Sequence, residues 1–506
     1  MVSGLRLPGD LNDPFAAIEG VHVNARYPHV LARGNGIPGE MSIALKTPDT
    51  NLIFIYLLLL PSRMFGTSGI RGAVGEDVTA DLALAVGRAL ASEGYERVVV
   101  GRDVRESGSM LADALTAGIR ECGGDVLEIG VAPTPTVARG VEWLDADAGV
   151  VITASHNPKT DNGIKLWSPT GQAFDAERRE AITARVEADD YDLEAWDGLG
   201  TRRRREGLLE RHVETITETI TSTGDDALTD LEVVVDVGNG AGSVAADALI
   251  DLGCSVRTLN AQPDGRFPGR PSEPNEETLE DLQQLVGATD AAIGVALDGD
   301  GDRLVAVDER GRFVPKDLLL ALFAREAAGE GERVAAPVDT SLAVDDALAA
   351  VGASVTRTAV GDVYVAERAT EADVTFGGEP SGAWIWPAET LCPDGPLAAC
   401  KLVAMAANSG SLAELVDDLE TYPIRRTSIE LEDKAAAMDR IEATVRDRDV
   451  EVDTLDGVRL EHEGGWTLIR PSGTESVVRI TAEARDPERA DELFAEAREL
   501  VLEAAE

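Results

Sequence analysis

The sequence predicts an α/β protein of three similar mixed α/β domains followed by a smaller C-terminal α+β domain. Three observations carry that expectation. The chain has 506 residues, too long for one core, because single cores stop growing near ~250 to 300 residues and chains divide into domains of ~100 to 150. One pattern recurs three times, as "RVVVGRDVRESGSMLADALTAGIRECGGDVLEIG" from Arg97, "EVVVDVGNGAGSVAADALIDLGCSVRTLN" from Glu232 and "RVAAPVDTSLAVDDALAAVGASVTRTAV" from Arg333. Beyond residue 423 the texture changes.

Each copy reads as a β-branched strand, a short loop, a small-residue helix containing "DAL", a glycine near the helix end and a second strand. That is a βαβ-like unit, with glycine where a left-handed residue is favoured. Copies spaced by more than a hundred residues are duplicated domains, not solenoid repeats. The predicted domains are 64–205, 206–310, 311–422 and 423–506, with "TRRRREG" at 201–207 as the passage from the first to the second. In the last domain "RRTSIELEDKAAAMDRIEATVRDR" reads as strand then helix, "GVRLEHEGGWTLIRPSGTESVVRITAEA" as paired strands and "DPERADELFAEARELVLEAAE" as a closing amphipathic helix.

Residues 1–63 stand apart. Nine consecutive apolar residues, 52–60, fall well short of the ~20 that cross a bilayer as a helix. Roughly fifty residues precede them and no small-residue cleavage site follows, which argues against a signal peptide. "MFGTSGIRG" from Met64 reads like a protein beginning. The expectation is a spurious N-terminal extension with translation starting at Met64, or a disordered arm.

An apolar fraction of 44% with 50 glycines suits a compact α/β chain. The 92 acidic residues against 46 basic ones give a net charge of -46. Such a field repels nucleic acid and anionic membrane, so neither is expected as a partner. Only six of the cationic residues are lysine. Carboxylates spread over helical stretches suit a surface kept hydrated in concentrated salt, where screening limits self-repulsion, so a halophilic cytoplasm is the expected setting. Cys122, Cys254, Cys392 and Cys400 form no C-x-x-C pair and are expected to be reduced, buried small hydrophobes of a cytosolic protein.

Four loops carry candidate chemistry. "AGVVITASHNPKTDNGIK" ends a buried-type strand at Ser155 and His156, with Lys165 following; ligands gather beyond the C-terminal ends of strands in open α/β sheets, and a lysine beside a nucleophile supplies charge or a base. "ALDGDGDRLVAVDE" sets Asp298, Asp300 and Asp302 two apart on a Gly-containing turn, a hard-cation donor set suited to Mg²⁺ with phosphate oxygens. A calcium EF-hand is disfavoured: Glu309 falls at its twelfth position, but the sixth, which needs Gly, is Arg303. "FGGEPSGAWIW" offers Glu379 and Ser381, a carboxylate and hydroxyl suited to vicinal sugar hydroxyls. "LIRPSGTESVVRI" places Arg470 before Ser472, Gly473 and Thr474, the arginine, hydroxyls and backbone N–H groups that a phosphate dianion takes. "FGTSGIRG" adds Thr67, Ser68 and Arg71. Taken singly, each could be only a turn.

Together, "TASHNP", "DGDGDR", "GGEPSG" and "RPSGTE", in this order from Met64 to the C-terminus, resemble the α-D-phosphohexomutase family. The resemblance implies four domains around a central cleft and interconversion of 6-phospho and 1-phospho sugars through a bisphosphate intermediate. It implies that Ser155 is carried as phosphoserine, with Asp298, Asp300 and Asp302 holding one Mg²⁺ together with it. Lys165 and Arg71 are implied in acid/base and electrostatic work, with His156 supporting the loop. Arg303, Glu379, Ser381, Arg470, Ser472, Gly473 and Thr474 are implied in substrate binding, and a sugar bisphosphate as activator. In "VGDVYV" at 360–365, Val363 stands where many relatives have Arg. The opening and phosphate loops look closest to phosphoglucosamine mutases, so glucosamine phosphate is the expected substrate, with phosphomannomutase/phosphoglucomutase the close alternative. Pro380 and Ala383 depart from the Gln or Met and the His that many bacterial relatives carry. A Mg²⁺-dependent serine phosphatase is the more distant alternative. A monomer or dimer acting on a phosphorylated hexose or hexosamine is expected.

Overall fold

The computed structural model describes residues 64–66, 69–222, 228–431, 433–446, 450–472 and 476–505, with the backbone of three strands inside 30–58. The chain forms two units, Met1–Met64 and Phe65–Glu506. In the first, Val30–Gly34, Glu40–Leu45 and Ile53–Leu58 pair as an antiparallel meander. Its third strand comes from the apolar run 52–60; the other residues of the 1–63 extension lie outside the described residues.

Among its described residues the second unit contains four sheets, three of them built on one plan. The first sheet sets Asp125–Val131, Arg97–Arg102, Ala148–Ile152 and Asp161–Trp167 side by side. In the second the same places are taken by Ser255–Leu259, Glu232–Asp236, Ile293–Leu297 and Leu304–Asp308. In the third they are taken by Ser354–Thr358, Arg333–Pro337, Val374–Gly378 and Trp384–Ile385. Within each sheet the first three strands are parallel and the fourth turns back antiparallel. The repeated βαβ unit of the sequence is therefore real, and each copy ends in a hairpin the sequence pattern did not reveal.

Val, Ile and Ala runs make these strands because both faces are covered. Ala148–Ile152, Ile293–Leu297 and Leu304–Asp308 are buried at every position, as expected of sheets with helices on both sides. Helix Gly395–Ser409, capped by Asp394, is buried along most of its length and joins the second and third sheets in one apolar core.

The fourth sheet is antiparallel, in the order Ile424–Glu430, Val477–Ala484, Gly465–Pro471, Val458–His462, Glu451–Asp453. Helices Lys434–Val445 and Pro487–Ala504 cover one face through Ile441, Val445, Leu500 and Val501. Among the described residues no helix is long and apolar enough to cross a membrane.

Two details differ from the sequence reading. Arg202–Arg204, expected as a passage between domains, forms an edge strand of the first sheet. Arg202 there forks onto Glu128 and reaches Asp113, so neighbouring carboxylates hold the segment in register. Cys122 is half-buried, unlike the other three cysteines; it sits at the end of a helix whose C-terminal turn meets solvent.

Candidate active site

The three turn-back hairpins carry three of the four candidate loops. The Ser155 loop joins the last two strands of the first sheet, the aspartate loop those of the second, and the Glu379 loop those of the third. Equivalent positions in three copies thus supply three different chemistries. The loops meet: Leu304 N–H donates to the Gly382 carbonyl (2.9 Å), and Arg303 bridges Ala383.

Ser155 is buried, and its backbone takes a left-handed φ of 52°, rare for a residue with a side chain. Its Oγ donates to Asp298 Oδ2 (2.6 Å) and lies 3.4 Å from His156 Nδ1. Burial, then the cations Arg303, Arg71 and Lys165, push His156 down to about 2, so its ring is neutral.

Asp298, Asp300 and Asp302 are buried and bring one oxygen each within 4.8 Å of the others. Gly301 lies at the turn with φ 70°, a conformation glycine adopts without cost. Lys165 Nζ donates to Asp300 Oδ2 (2.9 Å) and Asp302 Oδ2 (2.5 Å), and Thr134 Oγ1 to Asp300 Oδ2 (2.6 Å). Burial drives Asp298 well above the usual carboxylate range, with Asp300 and Asp302 adding to the rise. Asp302 rises from the same burial and the Asp300 charge. Asp300 moves the other way: burial opposes its charge, but Lys165 and the Thr134 hydroxyl prevail. Burial also works against Lys165, yet Asp300 and Asp302 hold its ammonium above the ordinary value.

A divalent cation fits this donor set. Asp300 Oδ1 and Asp302 Oδ1 are buried with no hydrogen-bond partner, and orphaned carboxylate oxygens beside a buried hydroxyl are ligands a hard cation takes. Glu309, the twelfth residue of the rejected EF-hand reading, instead accepts from Ser411 Oγ and Ala413 N–H and caps helix Leu412–Asp417.

Arg71 sits on the strand beside Gly163, its Nε buried without a partner. Burial, and then Arg303, lower its pKa. Arg303 donates its backbone N–H to Asp298 Oδ1 (3.2 Å). Glu379 accepts from Gly361 N–H (2.5 Å) and Ser381 Oγ (3.0 Å); burial and then Asp362 push it up to about 7. Val363 is buried in helix Asp362–Arg368, directly behind Gly361. In the fourth domain Arg470 donates to Asp456 Oδ2 (3.1 Å), which also accepts from Val360 N–H (3.0 Å). Asp456 therefore ties the Arg470 strand to the segment that holds Glu379. Ser472 is buried at the end of the Arg470 strand. Thr67, Ser68, Gly473 and Thr474 lie outside the described residues.

Sequence reasoning missed Asp103, Arg105, Thr134, Arg270, Ser272 and Asp456. None carries a distinctive pattern: Asp103 and Arg105 follow the first repeat strand, Thr134 opens helix Thr134–Trp143, and Arg270, Ser272 and Asp456 come from loops.

A serine hydroxyl against three buried aspartates that could hold a metal ion, with a carboxylate loop and an arginine-bearing strand in other domains, suits an enzyme that moves phosphoryl groups. The comparisons narrow the class. Family models described as phosphoglucomutase/phosphomannomutase alpha/beta/alpha domains I, II and III match residues 62–192, 210–311 and 315–422, and the C-terminal domain model matches 427–500. A "Probable phosphoglucosamine mutase" of Methanococcoides burtonii is 43% identical over 445 residues, 87% of this chain and 99% of that protein. One of Methanopyrus kandleri with the same name is 44% identical over 452 residues, 88% and 99%. The crystal structure of a phosphoglucomutase/phosphomannomutase family protein from Burkholderia thailandensis superposes with a TM-score of 0.76 at 29% identity, covering 87% of this chain and 98% of that one. The chain belongs to the phosphoglucomutase/phosphomannomutase family, the α-D-phosphohexomutases. It is an isomerase of the phosphotransferase type.

Proposed function

We propose that this protein interconverts glucosamine 6-phosphate and glucosamine 1-phosphate, with Ser155 carrying the transferable phosphoryl group. The observation that carries the reading is the Ser155 hydroxyl held 2.6 Å from Asp298 inside the buried aspartate cluster. The names of the relatives above support the amino sugar.

In this reading the sugar phosphate binds by its phosphate at Arg470, Ser472, Gly473 and Thr474, and by its hydroxyls at Glu379 and Ser381. The bond from phosphorus to Ser155 Oγ breaks as one forms to the free sugar oxygen, giving a bisphosphate. The proton lost from the attacking hydroxyl is balanced by the one regained at Ser155 Oγ. After the bisphosphate reorients, its other phosphate returns to Ser155. Asp298, Asp300, Asp302 and the Ser155 oxygen would hold Mg²⁺, which supplies charge neutralisation at the phosphoryl oxygens. Phosphoryl transfer depends mainly on positioning and electrostatics. Lys165, a full ammonium on Asp300 and Asp302, serves as acid and countercharge; Arg71 and Arg303 add donors; neutral His156 supports the loop as an acceptor.

The domain limits 64–205, 206–310, 311–422 and 423–506 belong to the same proposal, supported by each sheet falling within one segment. A sugar bisphosphate as activator, a monomer or dimer and a cytoplasmic setting complete it.

The test is mutase activity in concentrated KCl with Mg²⁺ and a trace of glucose 1,6-bisphosphate, on glucosamine, mannose and glucose 6-phosphates side by side. A marked preference for glucosamine 6-phosphate is expected. Equal or better turnover of the other two overturns the sugar assignment, and release of inorganic phosphate without isomerisation overturns the mutase reading in favour of a phosphatase.

A further inference from the structure

We infer that two buried arginine clamps, Arg105 with Asp103 and Arg270 with Asp236, fix the nucleophile against the metal loop, and that Ser272 is the positioning residue joining them. The inference rests on the reading of Ser155 as nucleophile and deepens it.

Arg105 is buried and has all five of its N–H donors engaged. Nε donates to Asp103 Oδ2 (2.9 Å), Nη1 to the carbonyls of Pro158 (2.6 Å) and Asp161 (2.9 Å), and Nη2 to those of Ser155 (2.8 Å) and Asn157 (2.7 Å). Asp103 Oδ2 also accepts from Thr153 Oγ1 (2.7 Å), which in turn accepts from Ser155 N–H (2.8 Å). Both backbone polar groups of Ser155 thus lead back to one ion pair. That closed circuit holds the left-handed conformation that aims Oγ at Asp298.

The second domain repeats the device around its own loop. Arg270 Nε donates to Asp236 Oδ2 (2.7 Å) and Nη2 to the carbonyl of Leu297 (2.7 Å), the residue before Asp298. Nη1 donates to the carbonyl of Pro271 (3.0 Å) and, at 3.4 Å, to that of Ser272. Ser272 Oγ then crosses between domains and donates to the Ser155 carbonyl (2.8 Å). The fit is close: a Cβ at Gly299 would lie 2.5 Å from Ser272 Oγ and 2.8 Å from the Ser155 carbonyl oxygen. Phe267 seals the junction, its ring centroid 5.2 Å from the Arg105 guanidinium carbon.

Five planar donors, four on fixed carbonyls and one on a carboxylate, cannot be reproduced by an ammonium with three. An ångström of misplacement at reacting atoms costs about 100-fold in rate. Arg105→Lys, Arg270→Lys and Ser272→Ala are compared with the wild type in the full chain. The readouts are kcat and KM on a sugar phosphate the wild type isomerises, the rate of Ser155 phosphorylation by glucose 1,6-bisphosphate from intact mass, and amide hydrogen exchange across residues 150–163. Ser272→Ala is expected to lower kcat and the phosphorylation rate together, by roughly 10- to 100-fold, with KM within about twofold, since geometry and not binding is lost. Exchange in the Ser155 loop should quicken. The two lysine variants should fall further; should either fail to fold, Ser272→Ala decides alone. Wild-type kcat and phosphorylation rate in Ser272→Ala, or a loss confined to KM, overturns the inference. A wild type that isomerises no sugar phosphate refutes the proposed function instead, and in that case unchanged exchange in Ser272→Ala refutes the clamp separately.

Discussion

Replacing Asp394 by Asn tests whether the junction of three domains is held by charge. Asp394 caps helix Gly395–Ser409 through Oδ1, which accepts from Leu397 N–H at 3.0 Å. Its Oδ2 accepts from Arg139 Nε at 3.0 Å and lies 3.0 Å from His212 Nε2. His212 Nδ1 in turn meets Thr136 Oγ1 at 2.8 Å. Arg139 and Thr136 belong to helix Thr134–Trp143, and His212 to helix Leu208–Thr221. The Asp394 and His212 side chains are fully buried, and that of Arg139 is only 6% exposed. Asn keeps the shape and the cap but leaves the Arg139 cation without its countercharge away from water. Breaking a buried pair in this way costs about 3–5 kcal/mol. For a cooperative unit of 150–250 residues that is a fall in Tm of about 6 to 20 °C. Scanning calorimetry at pH 7 measures it. Arg139→Met with Asp394→Leu should recover only part of the loss: apolar replacement of a buried pair is close to neutral, but the helix cap and the buried partner of His212 go with Asp394. The pH dependence has a definite sign. Burial opposes the Asp394 charge, but His212 and Arg139 hold its carboxyl below the ordinary value. A depressed carboxyl stabilises the fold above the unfolded pKa of about 4, and that contribution disappears as pH falls through the folded value. The gap between wild type and Asp394→Asn should therefore narrow below about pH 4. A Tm loss under 2 °C at pH 7 for Asp394→Asn would refute the reasoning.

The other expectations concern the site and the surface. Ser155→Ala should abolish stable phosphorylation by glucose 1,6-bisphosphate, read as the loss of one phosphate in the intact mass; retained phosphate would place the nucleophile elsewhere. Asp300→Ala should lose activity by roughly 1000-fold, the scale of a lost electrostatic stabiliser, together with its response to added Mg²⁺; near-normal turnover would contradict the assigned metal loop. Glu379, raised by burial to about 7, ionises at a cost to the folded state that grows as pH rises from about 4.5 and levels off above 7. KM for the sugar phosphate should accordingly change with an inflection near 7, and Glu379→Gln should flatten that profile. With a net charge of -46, Tm should rise by several degrees between dilute buffer and concentrated KCl as screening relieves self-repulsion; a flat response would remove the halophilic reading.

The threefold repeat was legible because small-residue helices between β-branched strands leave a pattern that survives divergence. The aspartate loop was legible because alternate carboxylates on a glycine turn have few other uses. What could not be read was tertiary. Nothing in the sequence places the Ser155, Asp298 and Glu379 loops at equivalent hairpins, since the turns share no residues once each has specialised. Arg105 and Arg270 look like ordinary surface cations among forty arginines until the fold surrounds them with carbonyls. The arginine run at 202–205 misled because polarity alone does not separate a linker from an exposed edge strand, and its partners Glu128 and Asp113 lie far upstream.

The distance along the chain between Ser155 and its partner Asp298 also bears on synthesis. They are 143 residues apart, which at ~5 to 20 residues per second is roughly 7 to 30 seconds of translation. For that interval a nascent chain carries Ser155 without the aspartate loop that accepts its hydroxyl. The Glu379 loop and then Arg470 emerge later still. On the function proposed above, a ribosome-bound chain therefore lacks a complete site until its last domain has been made.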